Sequence, residues 1–153
     1  MIDDIYSSRI LDFAGNIGRI GRLAAPDATA SAHSKLCGSR VTVDLAVRNG
    51  QVVDFAHEVK ACALGQASSA IMAAHVVGAS VEEVRAARQA MVAMLTAEGE
   101  GPEGRFSDMR FLKPVKDYKA RHASTLLTFD AVCACLDQIE AEAEGALAPS
   151  AAV

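Results

Sequence analysis

The stretch Val41–Val59, VTVDLAVRNGQVVDFAHEV, constrains the fold more than any other. Val41, Val43, Leu45 and Val47 alternate with Thr42, Asp44, Ala46 and Arg48, the period of a half-buried strand. Asn49-Gly50 marks a turn. A two-residue loop pairs Val47 with Val52 and Leu45 with Asp54, which sets a carboxylate on the apolar face. A three-residue loop, Arg48-Asn49-Gly50 with Gly50 left-handed, pairs Leu45 with Val53 and Val43 with Phe55, and all the large apolar groups then share one face. That register is the expected one. Extended to the open end of the hairpin, it sets Cys37 opposite Ala61, so Cys37 and Cys62 arrive one residue apart. After Cys62 the chain turns to helix formers, ALGQASSAIMAAHV. Cys62 thus stands where a strand ends and a helix begins, and helix N-termini stabilise anions. Two thiols at one sheet end suit a soft metal or a sulfur intermediate.

With 153 residues, 51% of them hydrophobic, the chain is long enough for one domain with its own core. Residues 1–143 are expected to form it and 144–153 to be a disordered tail. A net charge of −4 gives no nucleic-acid footprint. No run approaches the roughly 18 apolar residues of a membrane span. MIDDIYSS has no basic region of the kind that opens a signal peptide. The expected compartment is cytoplasmic, where the four cysteines stay reduced.

The remaining elements follow from pattern. Asp3 to Ala14 reads as an amphipathic helix, Asn16 to Gly21 as a loop, and Ala28 to Leu36 as an edge strand. The Cys62 helix is expected to end near Gly78 and, being rich in small residues, to be buried. Ser80-Val81-Glu82-Glu83 is a capping box that opens a helix running to about Ala97. EGEGPEG, Glu98 to Gly104, reads as a flexible acidic loop. Phe106 to Leu112 reads as a short helix stopping before Pro114. The last helix is expected from about Ser124 to Ala143, with Cys133 on its core stripe and Cys135 on the flank. Neither of these two is expected to bind metal, because i and i+2 diverge on a helix. Lys113, Lys116, Lys119 and Arg121 read as a solvated basic cluster, with partner docking the lesser reading, and His57 as a packed or edge histidine opposite Val41.

Taken together, these segments resemble the U-type iron–sulfur cluster assembly scaffolds: the NifU N-terminal domain and its IscU and SufU relatives. The resemblance covers roughly Ile5 to Leu136. It rests on Ile10-Leu11-Asp12 with Asn16, Gly21 and Leu23, on Leu36-Cys37-Gly38, and on Ala61-Cys62-Ala63-Leu64 followed by Gln66-Ala67-Ser68-Ser69. Pro114-Val115-Lys116 and Ala120-Arg121 complete it. Phe13 and Ile17 stand where the family usually has His and Pro. Ser124 stands where it has a third cysteine, and Ser39 where it has the aspartate of Cys-Gly-Asp.

The resemblance implies an α+β fold: a three-stranded, mostly antiparallel sheet packed against about five helices, with the site at one exposed end. It implies a non-enzymatic scaffold that holds iron, zinc or a nascent iron–sulfur cluster through Cys37 and Cys62. His122, Ser124, Ser39 or a second subunit of a homodimer would complete the coordination. A cysteine desulfurase as sulfur donor and cluster-accepting proteins are the implied partners. Two other readings use the same residues: a thiol relay carrying a persulfide on Cys62, and a paralogue that keeps the fold and binds only a partner.

Overall fold

The computed structural model describes residues 6–36 and 38–147. Strands β1 (Ala28–His33), β2 (Arg40–Arg48) and β3 (Gln51–Lys60) form an antiparallel meander with β2 in the centre. Four α-helices are described: α1 (Ser8–Gly15), α2 (Ala63–His75), α3 (Val81–Thr96) and α4 (His122–Leu147). Two 3-10 runs, Gly104–Asp117 and Lys119–Arg121, join α3 to α4. The α+β expectation therefore holds. Helix α4 extends through Leu147, past the Ala143 boundary, while 148–153 lie outside the described residues.

The hairpin register differs from the expected one. The loop is the two-residue turn Asn49-Gly50, with φ of 55° and 76°, and two positive φ angles match the twist of the flanking strands. Val47 pairs with Val52, but Ala46 then pairs with Asp54 and Leu45 with Phe55. Val53 is the extra residue of a β-bulge. Val52 and Phe55 are buried while Val53 and Asp54 both face outward. The bulge thus removes the carboxylate that counted against a two-residue loop. Asp54 accepts the Phe55 N–H at 2.9 Å, and His57 lies opposite Val43 rather than Val41.

Val41, Val43, Leu45, Phe55 and His57 form the inner face of the sheet, on which α4 and α2 pack. Helix α2 is buried along nearly its whole length. Its small residues permit close approach: a Cβ on Gly65 would stand 3.1 Å from the Ser124 carbonyl oxygen and 2.8 Å from the Ala61 Cβ. The capping box before α3 forms as expected, with Ser80 and Glu83 exchanging two hydrogen bonds of 3.0 Å.

The segment after α3 corrects two expectations. The acidic loop is strapped down: Glu98 meets Lys116 at 2.8 Å, Glu100 meets Lys113 at 3.1 Å, and Arg110 donates to the Pro102 carbonyl. Two members of the supposed solvated basic cluster are therefore paired. The 3-10 run continues through Pro114 instead of stopping before it. Phe106, Met109, Leu112 and Val115 are all buried, and a spacing of three keeps them on one face of a three-residue turn. The fixed φ of proline suits that geometry.

The edge of β3 is covered as well. Near the turn, Val52 and Gly50 bond to Gly78, Ala79 and Val81. Further along, the His57 N–H donates to the Arg19 carbonyl and the Gly21 N–H to the His57 carbonyl. Arg22 then crosses to the outer face and grips buried Asp44 with bonds of 2.7 and 3.1 Å. Leu23 N–H and the Thr29 hydroxyl also donate to Asp44. Burial alone would raise that carboxyl's pKa, but these donors outweigh it and the value falls below the usual range.

Candidate functional site

Regular pairing ends at Arg40–Lys60, and Ala61-Cys62 lead directly into α2. Cys62 is the N-cap of α2, extended at φ −66° and ψ 171°, and its side chain makes no capping bond. The half-buried thiol is thereby left available to other groups. The sulfur lies 3.6 Å from Ser124 Oγ, with the thiol as donor. Ser124 Oγ in turn donates to the Arg121 carbonyl at 3.1 Å. On the other side, the Cys62 N–H donates to Ser39 Oγ at 3.4 Å. Ser39 and Ser124, both expected near the thiols, thus bracket Cys62 directly.

Ser124 is fully buried, and it lies within the first turn of α4, which begins at His122. The helix thus starts two residues before the expected position of about Ser124. The Ser124 hydroxyl bonds back to position i−3, and the close contact of Gly65 with the Ser124 backbone clamps the two helix starts together. His122 turns to the 3-10 run: its Nε2–H is shared between the carbonyls of Val115 and Lys116, each at 3.0 Å. Nδ1 is then the ring atom that carries a lone pair in the neutral form.

Cys37 lies outside the described residues. Its neighbours form the β1–β2 connection at this same end of the sheet. Ser34 N–H donates to the Ser39 carbonyl at 2.8 Å and Gly38 N–H to the Ser34 carbonyl at 2.9 Å. Gly38 takes a φ of 70°, which glycine adopts without strain. Leu36, next to Cys37, is 78% exposed. Among the described residues no three His, Cys, Asp or Glu side chains gather closely enough to hold a metal ion.

The remaining cysteines belong to the core, with their order reversed from expectation. Cys135 is fully buried and donates to the Val43 carbonyl at 3.4 Å, while Cys133 lies slightly nearer the surface. Burial, reinforced by the Asp44 carboxylate, pushes the Cys135 thiol up to about 12. Burial raises Cys133 too. Sequence reasoning did not reach the Arg22–Asp44 clamp or the Gly65–Ser124 contact. Asp44 sat in view as an outward position of β2, but nothing local points from it to Arg22.

Among known proteins, the NifU-like N terminal domain family matches residues 5–125. The iron–sulfur cluster assembly scaffold protein IscU of Thermotoga maritima is 30% identical over 137 residues, 88% of this chain and 94% of its own. A crystal structure of a nitrogen-fixing NifU-like protein, N-terminal part, from Brucella abortus superposes with a TM-score of 0.91 at 67% identity, covering 92% of this chain and 98% of that one. A SUF-system scaffold, SufU of Fervidobacterium islandicum, shares the fold at a TM-score of 0.78 and 24% identity, with 88% and 98% coverage.

Proposed function

Because the chain belongs to the NifU-like N-terminal domain family, we propose that it is an iron–sulfur cluster assembly scaffold whose cargo is held at the Cys62 end of the sheet. The observation that carries this reading is the 3.6 Å separation of Cys62 Sγ and Ser124 Oγ. A tetrahedral zinc with ordinary sulfur and oxygen bond lengths sets its two ligand atoms about 3.6 Å apart. The pair therefore has the spacing of two ligands of one metal ion. Cys62 and Cys37 supply the thiolates, and Ser124 with Ser39 supplies the neighbouring oxygens. His122 is the candidate nitrogen donor through Nδ1, the atom its carbonyl contacts leave over.

Hydroxyls donate less charge to iron than thiolates do. Two serines in place of a cysteine and an aspartate therefore suit a cargo that is held loosely and passed on. In this reading sulfur arrives from a cysteine desulfurase: the Cys62 thiolate attacks the outer sulfur of the donor's persulfide, the S–S bond breaks, and the donor thiolate leaves.

Anaerobic reconstitution with ferrous iron, cysteine, a cysteine desulfurase and excess dithiothreitol, whose two thiols supply the two electrons that turn persulfide sulfur into sulfide, tests the proposal. Equimolar iron and acid-labile sulfide on the wild type, lost in Cys62→Ala and in Cys37→Ala, is the expected result. A persulfide on Cys62 without bound iron would replace the scaffold by a thiol relay.

A further inference from the structure

The outer face of the sheet carries a feature the thiol site does not use. Its last rung at the Cys62 end is His33–Arg40–Lys60. Like charges directly opposite one another destabilise a ladder, yet a chain of net charge −4 sets Arg40 against Lys60. Among the described residues, neither side chain enters an ion pair, whereas nearby Arg22 is taken up by Asp44 and lies 4.0 Å from Glu58. The next rung brings the hydroxyls of Ser31 and Thr42 within 2.7 Å. Whichever of them donates, the other keeps a proton to offer. Arg22, Arg40, Lys60, Ser31, Thr42 and Glu58 border an open depression of about 510 Å³ across all three strands.

We propose that this face docks an acidic segment of a partner protein, whose carboxylates take up Arg40 and Lys60. Charge complementarity selects the occupant: two unpaired cations and a spare hydroxyl proton stand there, and the one carboxylate, Glu58, already faces Arg22. The shape selects an extended segment, because the depression is an open trough over three strands rather than an enclosed cavity. The location gives docking a purpose. Lys60 precedes Cys62 by two residues, and Arg40 follows Ser39, whose hydroxyl accepts the Cys62 N–H. A partner seated here reaches the end of the sheet from which the chain passes to Cys62. The inference deepens the scaffold reading, but its test does not depend on cluster loading.

The probe is a fluorescein-labelled hexaglutamate peptide, titrated by anisotropy at low salt and followed by amide chemical shifts. Binding that weakens with salt, with shifts centred on Ser31, Thr42, Arg40 and Lys60, is expected. Arg40→Gln with Lys60→Gln should weaken it about five-fold, as two lost surface pairs would. Lys113→Gln with Lys116→Gln alters net charge equally and should leave binding within about two-fold. Melting curves of both double variants confirm that each is folded. Equal weakening by the two double variants, no binding, or shifts elsewhere would overturn the proposal. So would displacement of the peptide by inorganic phosphate at equal concentration, which would mark a site for small oxyanions. If the wild type takes up no iron or sulfide yet binds the peptide as described, the scaffold reading fails and this one stands.

Discussion

Position 124 decides how strongly the site holds a metal. The Ser124 hydroxyl already lies 3.6 Å from the Cys62 sulfur, so a thiol there needs no backbone movement to share a ligand sphere with it. Ser124→Cys should raise zinc affinity, because thiolate binds zinc better than a neutral hydroxyl. Zinc should therefore raise the melting temperature of Ser124→Cys by more than it raises that of wild type. An equal rise in both would remove position 124 from the coordination sphere. The cysteines themselves should react unequally. Cys135 is fully buried with its thiol pushed up to about 12, whereas Cys62 is half-buried at a helix N-terminus. Timed alkylation with peptide mapping should find Cys62 modified well before Cys135 at neutral pH. Cys62 was legible in the sequence because the strand end and the helix start meet at it, and the two serines only through the family resemblance. The order of Cys133 and Cys135 was not, since both lie near the edge of the same stripe and their depth depends on how α4 rotates against β2.

Among the elements, the approach of α2 to the start of α4 controls the site. Gly65 in α2 lets the Ser124 backbone come close, and a methyl group there meets a carbonyl oxygen and the Ala61 methyl, neither of which can swing away. Gly65→Ala gains helix propensity but overpacks the contact. The net should be a loss of about 1 kcal/mol, together with weaker zinc binding as Ser124 moves off Cys62. Chemical denaturation and zinc titration check both, and unchanged zinc binding would show that the clamp does not set the site. Capping signals and strand alternation made α3, β2 and β3 readable, because those signals are local. The 3-10 run through Pro114 was missed because its spacing of three was read against a helix of 3.6 residues per turn. The strapped acidic loop was missed because its partners Lys113 and Lys116 lie 13 and 18 residues further on, within the 3-10 run that follows.

For the whole molecule, acid should act first at the loop laid along β3. His57 is fully buried, its Nε2–H reaches the Gly18 carbonyl at 2.9 Å, and its Nδ1 has no partner among the described residues. Burial lowers its pKa from the ordinary imidazole value of 6.5. The unfolded chain therefore takes up a proton before the folded one does. The stability from neutral His57 is complete above about pH 6.5 and is lost as pH falls from there through the lower folded value. Melting temperature should drop between about pH 7 and about pH 5, while Asp44, also depressed, adds acid sensitivity only below its ordinary value of 3.8. His57→Leu should flatten the upper part of that profile, and an unchanged slope would assign it to other groups. The fold class came from the family resemblance that the ordered motifs carry, whereas the His57–Gly18 and Arg22–Asp44 ties join residues far apart in the chain and left no local trace. The bulge at Val53 bears on how the chain tolerates deletion. With Val53 removed, Val52 would still face Val47 and Asp54 would still face Ala46, now in an unbroken ladder. Every rung from there to Arg40–Lys60 keeps its partner, so a gap of one residue near the turn stops at the bulge and never reaches the thiol end.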